Sequence, residues 1–233
     1  MSGTDIVING PAGSFSAYAA QPEKPNGATI IVIQEIFGVN EFVRAIADDY
    51  ASRGYVAIAP DLFWRIEPGV NITDKSEAEW KKAFDLYSKF SVDGGIEDIQ
   101  ATITQARDTF PANQKVGAVG YCLGGLLAFL TATRTDIDAS VGYYGVGIDA
   151  SLAEAEAIKC ALMLHIAEED GFVAKPAQKA IFDALGGNAN ISLHAYAGLD
   201  HAFARMGGEH FDQAGADLAN SRTAAFFADK LLK

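Results

Sequence analysis

The sequence is poor in cysteine: its 233 residues include only Cys122 and Cys160. The two residues form neither a tight pair nor a Cys/His cluster with zinc-like spacing, so we expect no metal site. One disulfide between them is the alternative, but reduced thiols in the cytoplasm are the simpler interpretation. The pattern therefore predicts neither a disulfide scaffold nor a zinc module.

Positive charge and long apolar runs are also scarce. Eighteen Lys and Arg against thirty Asp and Glu give a net charge of −12, a charge that disfavours binding to nucleic acids and to anionic membrane surfaces. No run approaches the ~18 apolar residues expected of a spanning helix, and the N-terminus lacks the pattern of a secretory signal. We expect a cytoplasmic protein with a small-molecule partner, and any anionic substrate requires a local positive group.

Short apolar runs alternate with helix-like stretches along the chain, which predicts one α/β domain over residues 1–233 with a mainly parallel sheet and helices on both faces. The predicted strands are Ala28–Gln34, Tyr55–Pro60, Val116–Tyr121, Ser140–Tyr144, Ala161–Ala167 and Ile191–Tyr196. The segments Ile6–Ile8 and Phe15–Ala19 predict an antiparallel hairpin before them. Helices are predicted over Glu41–Arg53, from Ser76, and over Gly95–Thr109, Leu123–Thr133, Lys175–Leu185 and the last twenty residues. Ligands of such sheets lie at the carboxyl ends of the strands.

Cys122 follows a predicted strand and lies between Gly120 and Gly124, with a helix beginning directly after it. Gly-x-Cys-x-Gly in this context is a nucleophile elbow with sulfur in place of the serine oxygen. The glycines avoid collisions at the strained turn, and the backbone N–H of Leu123 becomes an oxyanion donor. The alternative is a buried structural cysteine, the interpretation that we prefer for Cys160.

A cysteine nucleophile requires a base and an acid that orients the base. His201 follows the last predicted strand and is the best base, whereas His165 and His194 lie inside strands and His210 is predicted to be solvated at the head of the last helix. Asp170, just after Ala161–Ala167, is the preferred acid.

Asp200 is disfavoured as the acid because neighbouring side chains in a loop rarely face each other. The order Cys122, Asp170, His201 matches that of α/β-hydrolases.

A further carboxylate, Glu35, ends the first long strand, where an oxyanion-hole loop is expected. Beside the thiol it would favour the neutral form of Cys122 and lower its resting reactivity. Its structural alternative is a surface acid at a strand end. The following N–H, that of Ile36, is the predicted second oxyanion donor.

With these residues in place, the chain closely resembles the dienelactone hydrolase family. The resemblance rests on segments spread over nearly the whole chain: QEIFGVN, APDLF, GYCLGG, GYYGVG, EDGFV and HAFAR. It implies an α/β-hydrolase fold and a cofactor-independent hydrolase that opens a dienelactone ring to maleylacetate. It also implies that Glu35 holds the resting thiol and that substrate binding swings the thiol toward the His–Asp pair.

For substrate binding, the resemblance implies that Arg205 pairs with a substrate carboxylate; Phe37 and Tyr144 are also predicted to contact substrate. The family's better-studied members have a second carboxylate-binding arginine, but residues 67–85 contain none here. Lys81 and Lys82 are the candidate replacements, although lysine lacks the forked geometry of a bidentate pair. Alternatives are a generic carboxylesterase or thioesterase and a non-catalytic small-molecule binding protein. The expected assembly is a monomer or a small homo-oligomer.

Overall fold

The computed structural model describes residues 3–110 and 115–233. The chain divides into two compact units, Met1–Gly117 and Ala118–Lys233. Strands and helices alternate through both units, as the sequence predicts for an α/β fold. The assignment of residues 1–233 to one domain stays a prediction.

The first unit contains a four-strand arrangement in the order β1-β2-β4-β3. Strands β1 and β2 form the predicted antiparallel hairpin, β2 pairs antiparallel with β4, and β3 pairs parallel with β4. The elements are β1 Thr4–Gly10, β2 Gly13–Ala20, β3 Ala28–Ile33, α1 Glu41–Ser52, β4 Val56–Pro60, α2 Glu77–Lys89 and α3 Val92–Thr109. Every residue of β3 and of β4 is buried, which explains their continuous apolar sequences.

Side chains cap the helices of this unit. A helix is predicted from Ser76, and the Ser76 Oγ accepts the N–H of Glu79. The Glu79 carboxylate accepts the hydroxyl of Ser76 and the N–H of Thr73. Two donors ahead of α2 are therefore satisfied by one acidic residue.

The second unit has the strand order β5-β6-β7-β8, with β5 crossing the division between the units. Strand β7 pairs parallel with both β6 and β8. The elements are β5 Lys115–Tyr121, α4 Leu123–Arg134, β6 Ala139–Tyr143, β7 Ala161–Ala167, α5 Lys175–Leu185, β8 Ile191–Tyr196 and α6 Gln213–Leu231, with a 3-10 helix over Ile148–Ala157.

Most predicted elements agree with the structure. The bounds of β7, β8 and α5 match the prediction, and β3, β4 and β5 differ from it by one residue at one end. Strand β6 is displaced by one residue, and the hairpin strands β1 and β2 extend beyond the predicted segments by up to two residues at an end. Helix α3 begins at Val92 instead of Gly95, because the Ser91 hydroxyl accepts the N–H of Gly94 and caps the helix earlier. The 3-10 helix was not predicted. Over the described residues, no helix is both long enough and apolar enough to cross a membrane.

Candidate active site

Cys122 lies at the turn between β5 and α4, with φ of 57° and ψ of −114°. This left-handed backbone is strained for a residue with a side chain, and such strain is typical of a nucleophile elbow. A Cβ on Gly120 would lie 1.9 Å from the carbonyl oxygen of Gly124, so only glycine allows strand and helix to approach this closely. The local conformation is the one that Gly-x-Cys-x-Gly predicts.

Helix α4 also passes close to the residues that follow β6. A Cβ on Gly125 would lie 2.5 Å from the carbonyl oxygen of Tyr143 and 2.7 Å from Cα of Gly145. The N–H of Cys122 donates to the Tyr143 carbonyl at 3.1 Å. The turn is therefore held by backbone contacts as well as by its own conformation.

Asp170 and His201 meet at the ends of β7 and β8. The Nδ1 atom of His201 lies 3.0 Å from Oδ2 and 3.1 Å from Oδ1 of Asp170. Both side chains are buried. The Asp170 carboxylate also accepts the N–H of Phe172 at 2.9 Å, which fixes its orientation. A proton on Nδ1 leaves the other ring nitrogen of His201 for a different partner.

That partner is Cys122, whose side chain forms a hydrogen bond with His201. Burial lowers the pKa of His201, but Cys122 and the Asp170 carboxylate outweigh burial and raise the pKa to about 10. Cys122 itself is partly exposed, unlike the other two residues. The structure thus brings Cys122, His201 and Asp170 into one hydrogen-bonded chain.

The Asp200 side chain accepts backbone N–H groups beside Asp170 and His201. Its Oδ1 accepts the N–H of Gly171 at 2.9 Å and the N–H of His201 at 2.6 Å, and these bonds hold the two loops together. Burial raises the pKa of Asp200, but these two N–H groups and nearby His210 lower it more.

His210 lies ahead of α6, two residues before its Asp212 cap, and not at the head of the helix as predicted. Its Nδ1 lies 3.3 Å from Oδ2 of Asp200 and 3.3 Å from the carbonyl oxygen of His201. The His210 side chain is 44% exposed, as predicted for a solvated residue, and it contacts Asp200 and the His201 carbonyl.

His165 is a hydrogen-bonded strand residue, as predicted. Its Nδ1 lies 2.7 Å from the hydroxyl of Tyr196 and its Nε2 lies 2.9 Å from Oγ1 of Thr223. Burial, with smaller contributions from His194 and Arg222, lowers its pKa well below the usual value. The ring is neutral and belongs to the core behind the site.

Two aromatic rings pack edge-on against the His201 imidazole. Tyr144, which was predicted to contact substrate, has φ of 39° and its ring centroid lies 5.0 Å from that of His201. Phe172 lies on the other loop, with its centroid 4.8 Å from His201, and it is 51% exposed. Phe172 was not singled out from the sequence, although it belongs to the EDGFV segment.

Leu123 and Arg205 lie in the elements that carry Cys122 and His201, and their roles as oxyanion donor and carboxylate partner stay predictions. Leu123 is the first residue of α4, where a backbone N–H has no intrahelical acceptor. Arg205 follows His201 by four residues in a turn closed by its N–H donating to the Ala202 carbonyl. Ala202 has φ of 63°, so this turn too is strained.

Glu35, Ile36 and Phe37 follow β3 in the first unit, and all three are buried. The Phe37 ring packs edge-on against Trp80 at 5.1 Å, which places Phe37 beside α2. The predicted roles of Glu35 with the thiol, of Ile36 as an oxyanion donor and of Phe37 with substrate stay predictions.

Both cysteines are free, as the sequence suggests. Cys160 directly precedes β7, and burial raises the pKa of its thiol to about 11. Within residues 3–110 and 115–233, no group of three or more His, Cys, Asp or Glu side chains is suited to hold a metal ion.

The sequence model of the dienelactone hydrolase family matches residues 15–231, which is nearly the whole chain. The chain belongs to the dienelactone hydrolase family. It is 47% identical to a putative carboxymethylenebutenolidase of Azospirillum brasilense, over 98% of this chain and 99% of that protein. It is 37% identical to a carboxymethylenebutenolidase of Pseudomonas putida, over 92% and 91% of the two chains. These relatives establish that the chain is a hydrolase that acts on esters or lactones.

Solved structures agree on the fold. A putative dienelactone hydrolase from Klebsiella pneumoniae superposes with a TM-score of 0.84 at 24% identity, covering 97% of both chains. A Pyrococcus furiosus esterase superposes with a TM-score of 0.71 at 15% identity, over 99% of this chain and 91% of the other. The predicted α/β-hydrolase fold with a mainly parallel sheet is confirmed for this member of the dienelactone hydrolase family.

Proposed function

We propose that this dienelactone hydrolase family member opens a small lactone or ester with Cys122 as nucleophile, His201 as base and Asp170 as the acid that orients His201. The observation that carries the proposal is the hydrogen-bonded chain from Asp170 through His201 to Cys122, which sits on a strained elbow. The raised pKa of His201 favours an imidazolium, which would stabilise the thiolate, the reactive form of cysteine, once the Cys122 thiol gives up its proton during the reaction.

The reaction then proceeds in two halves without a cofactor. In the first, the Cys122 thiolate attacks the ester carbonyl carbon, a C–S bond forms, and the bond from that carbon to the ring oxygen breaks. His201 gives its proton to the departing oxygen. In the second half His201 takes a proton from water, the hydroxide attacks the thioester carbon, and the thiolate leaves. The products are a carboxylic acid and a hydroxyl group, joined in one molecule when the substrate is a lactone.

The negative charge that develops on the carbonyl oxygen requires donors. The Leu123 N–H is proposed as one of them because α4 begins at Leu123 and its positive end faces the turn. Ile36 is proposed as the second. One donor of this kind contributes about 3 kcal/mol to transition-state stabilisation in hydrolases.

Substrate class follows from Arg205 and the family. We propose an anionic lactone of the dienelactone type, with its carboxylate paired to Arg205 and its ring near Tyr144 and Phe37. A second arginine is missing from residues 67–85, and the Lys82 ammonium there donates to Glu67 at 2.6 Å. This engagement of Lys82 favours the second candidate, a broader carboxylesterase or thioesterase on small esters. Turnover of dienelactone against neutral aryl esters, with and without Arg205→Ala, separates the two.

Glu35 is proposed to keep the resting thiol neutral. In the structure the Cys122 side chain bonds to His201, which is the arrangement that the family resemblance implies for the substrate-bound enzyme. Alkylation by iodoacetamide tests this role: we expect slow modification of Cys122 in the free enzyme and faster modification in Glu35→Gln. Modification of the free enzyme at the rate of an exposed low-pKa thiol would exclude the role.

The central proposal is tested by hydrolysis of 4-nitrophenyl acetate. We expect Cys122→Ala and His201→Ala to lower kcat/KM by about a thousandfold or more. Cys160→Ala is the matched control, since it removes the other thiol and leaves the elbow intact, and it should retain activity. Full activity in both triad variants would refute the assignment.

A further inference from the structure

An open groove of about 400 Å³ lies between β7, β8 and α6. Its lining comes from alternate residues of the two strands and from helix residues spaced by three or four, so each element contributes one face. None of Cys122, Asp170 and His201 lines it. Its volume falls within the range of small-ligand sites.

The floor of the groove is apolar and its walls are polar. Met163 on β7 and Phe226 on α6 are buried side chains that supply the floor. Ser192 and His194 on β8 and Arg222 on α6 supply hydrogen-bonding groups. A ligand with an apolar body and one polar end matches this division.

Arg222 gives the groove a positive charge. Its Nη1 donates to the Tyr196 hydroxyl at 3.1 Å, and its guanidinium carbon lies 5.4 Å from the centre of the Tyr196 ring. Among the described residues no carboxylate forms an ion pair with Arg222. In a chain of net charge −12, where acidic residues outnumber basic ones, an arginine without a carboxylate partner keeps its positive charge available to a ligand. Its other N–H groups suit a bidentate contact with an anion.

The neighbouring titratable groups do not cancel this charge. The Asp229 carboxylate, also in the groove, pairs with Lys230 at 2.9 Å and with Lys233. Burial, and then Arg222, lower the pKa of His194, so its imidazole is neutral near pH 7 and adds no competing charge. The groove therefore offers one guanidinium to an incoming anion.

We propose that this groove binds a small organic carboxylate, with its acid group paired to Arg222 and its apolar body on Met163 and Phe226. The site is separate from the catalytic residues and does not depend on the proposed function. An aromatic monocarboxylate fits both halves of the groove, whereas a molecule without the acid group lacks the contact to Arg222.

Benzoate is the probe for a test by NMR titration of the full chain. We expect saturable shifts of the Met163 methyl and His194 ring resonances, and weaker binding of benzyl alcohol, which has the ring without the charge. Arg222→Met should raise the Kd for benzoate at least about tenfold, and Arg222→Lys less. Arg205→Met controls for binding at the catalytic residues and should leave these shifts unchanged.

A second variant protects the test from a folding defect at Arg222. Ser192→Trp fills the groove from β8 and should abolish the shifts while the thermal unfolding curve stays cooperative. The proposal is overturned if benzoate does not shift Met163 and His194, or if Arg222→Met binds benzoate as tightly as the wild type. It is also overturned if these resonances change with protein concentration but not with benzoate, which would make the groove a contact between two copies of the chain.

Discussion

The Nδ1 atom of His201 lies 3.0 Å from Oδ2 of Asp170, and both side chains are buried in the loops that follow β8 and β7. The contact orients the imidazole and leaves its second nitrogen for Cys122. Because Asp170 comes thirty-one positions before His201 in the chain, the pairing depends on the parallel β7–β8 register. The parallel pairing of β7 and β8 thus positions the proposed base, His201, beside Asp170.

The first prediction concerns the titration of His201. Since Cys122 and Asp170 outweigh burial and raise its pKa to about 10, the imidazole should be protonated at neutral pH. Cys122→Ala and Asp170→Asn should each lower the pKa, as followed by NMR of the ring protons. An unchanged pKa in both variants would contradict the contacts. His194 provides an internal reference, because its pKa is lowered by burial and by Arg222.

The same shift sets how stability changes with pH. A pKa raised from 6.5 in the unfolded chain to about 10 in the folded one means that the folded state holds the extra proton between these values. The contribution of His201 to stability is therefore complete below about pH 6.5 and is lost as the pH rises toward 10. In urea unfolding, the free energy of unfolding of Asp170→Asn should fall less over this pH range than that of the wild type.

The second prediction concerns the elbow. Gly120→Ala places a Cβ 1.9 Å from the Gly124 carbonyl oxygen, so strand and helix must separate. We expect a loss of about 2 kcal/mol or more in the free energy of unfolding, with loss of activity. Gly187→Ala is the control: no atom lies within 4 Å of its Cβ, and it should be neutral. Equal unfolding midpoints for the two variants would contradict the account.

The third prediction concerns the network around His165. Thr223→Val keeps the shape of the side chain but removes the hydroxyl that contacts the His165 Nε2 at 2.9 Å and the Tyr143 hydroxyl at 2.7 Å. A buried polar group that loses its partner costs about 1–3 kcal/mol, measured by urea unfolding. Thr223→Ser retains the hydroxyl and should lose less. If Thr223→Val lowers the free energy of unfolding by less than this range, the hydrogen bonds of Thr223 contribute little to stability.

The fourth prediction concerns Phe172, whose exposed ring lies 4.8 Å from His201. An aromatic contact contributes about 0.5–1.5 kcal/mol, so Phe172→Ala should lower kcat/KM for aryl-acid esters about two- to tenfold. Esters of acetic acid should be affected less. Phe182→Ala on α5 removes another partly exposed ring and should change neither rate. Equal effects on both ester classes would argue against a substrate contact.

Much of the fold follows from local patterns. Strands β7 and β8 are short runs rich in apolar residues, and their bounds match the prediction. The elbow at Cys122 is equally local, because the two flanking glycines and the start of α4 lie within five residues of one another.

Other features depend on contacts that no short window contains. The ring of Phe172 packs against His201 across two loops, and the Asp170 carboxylate accepts the Phe172 N–H. His210 is drawn to Asp200 across a turn. The groove around Arg222 forms only when α6 packs beside β8. The 3-10 helix over Ile148–Ala157 was missed for a different reason: its alternating Ala and Glu carry no strong period.

The central claim is that Cys122 carries the acyl group. The fifth prediction, and its most direct test, is to quench the reaction with 4-nitrophenyl acetate during the first turnover, then to digest the protein and locate the adduct by mass spectrometry. We predict one acetyl group on the peptide that carries Cys122, absent from Cys122→Ala and unchanged in Cys160→Ala. Acetylation elsewhere with full turnover in Cys122→Ala would contradict the account.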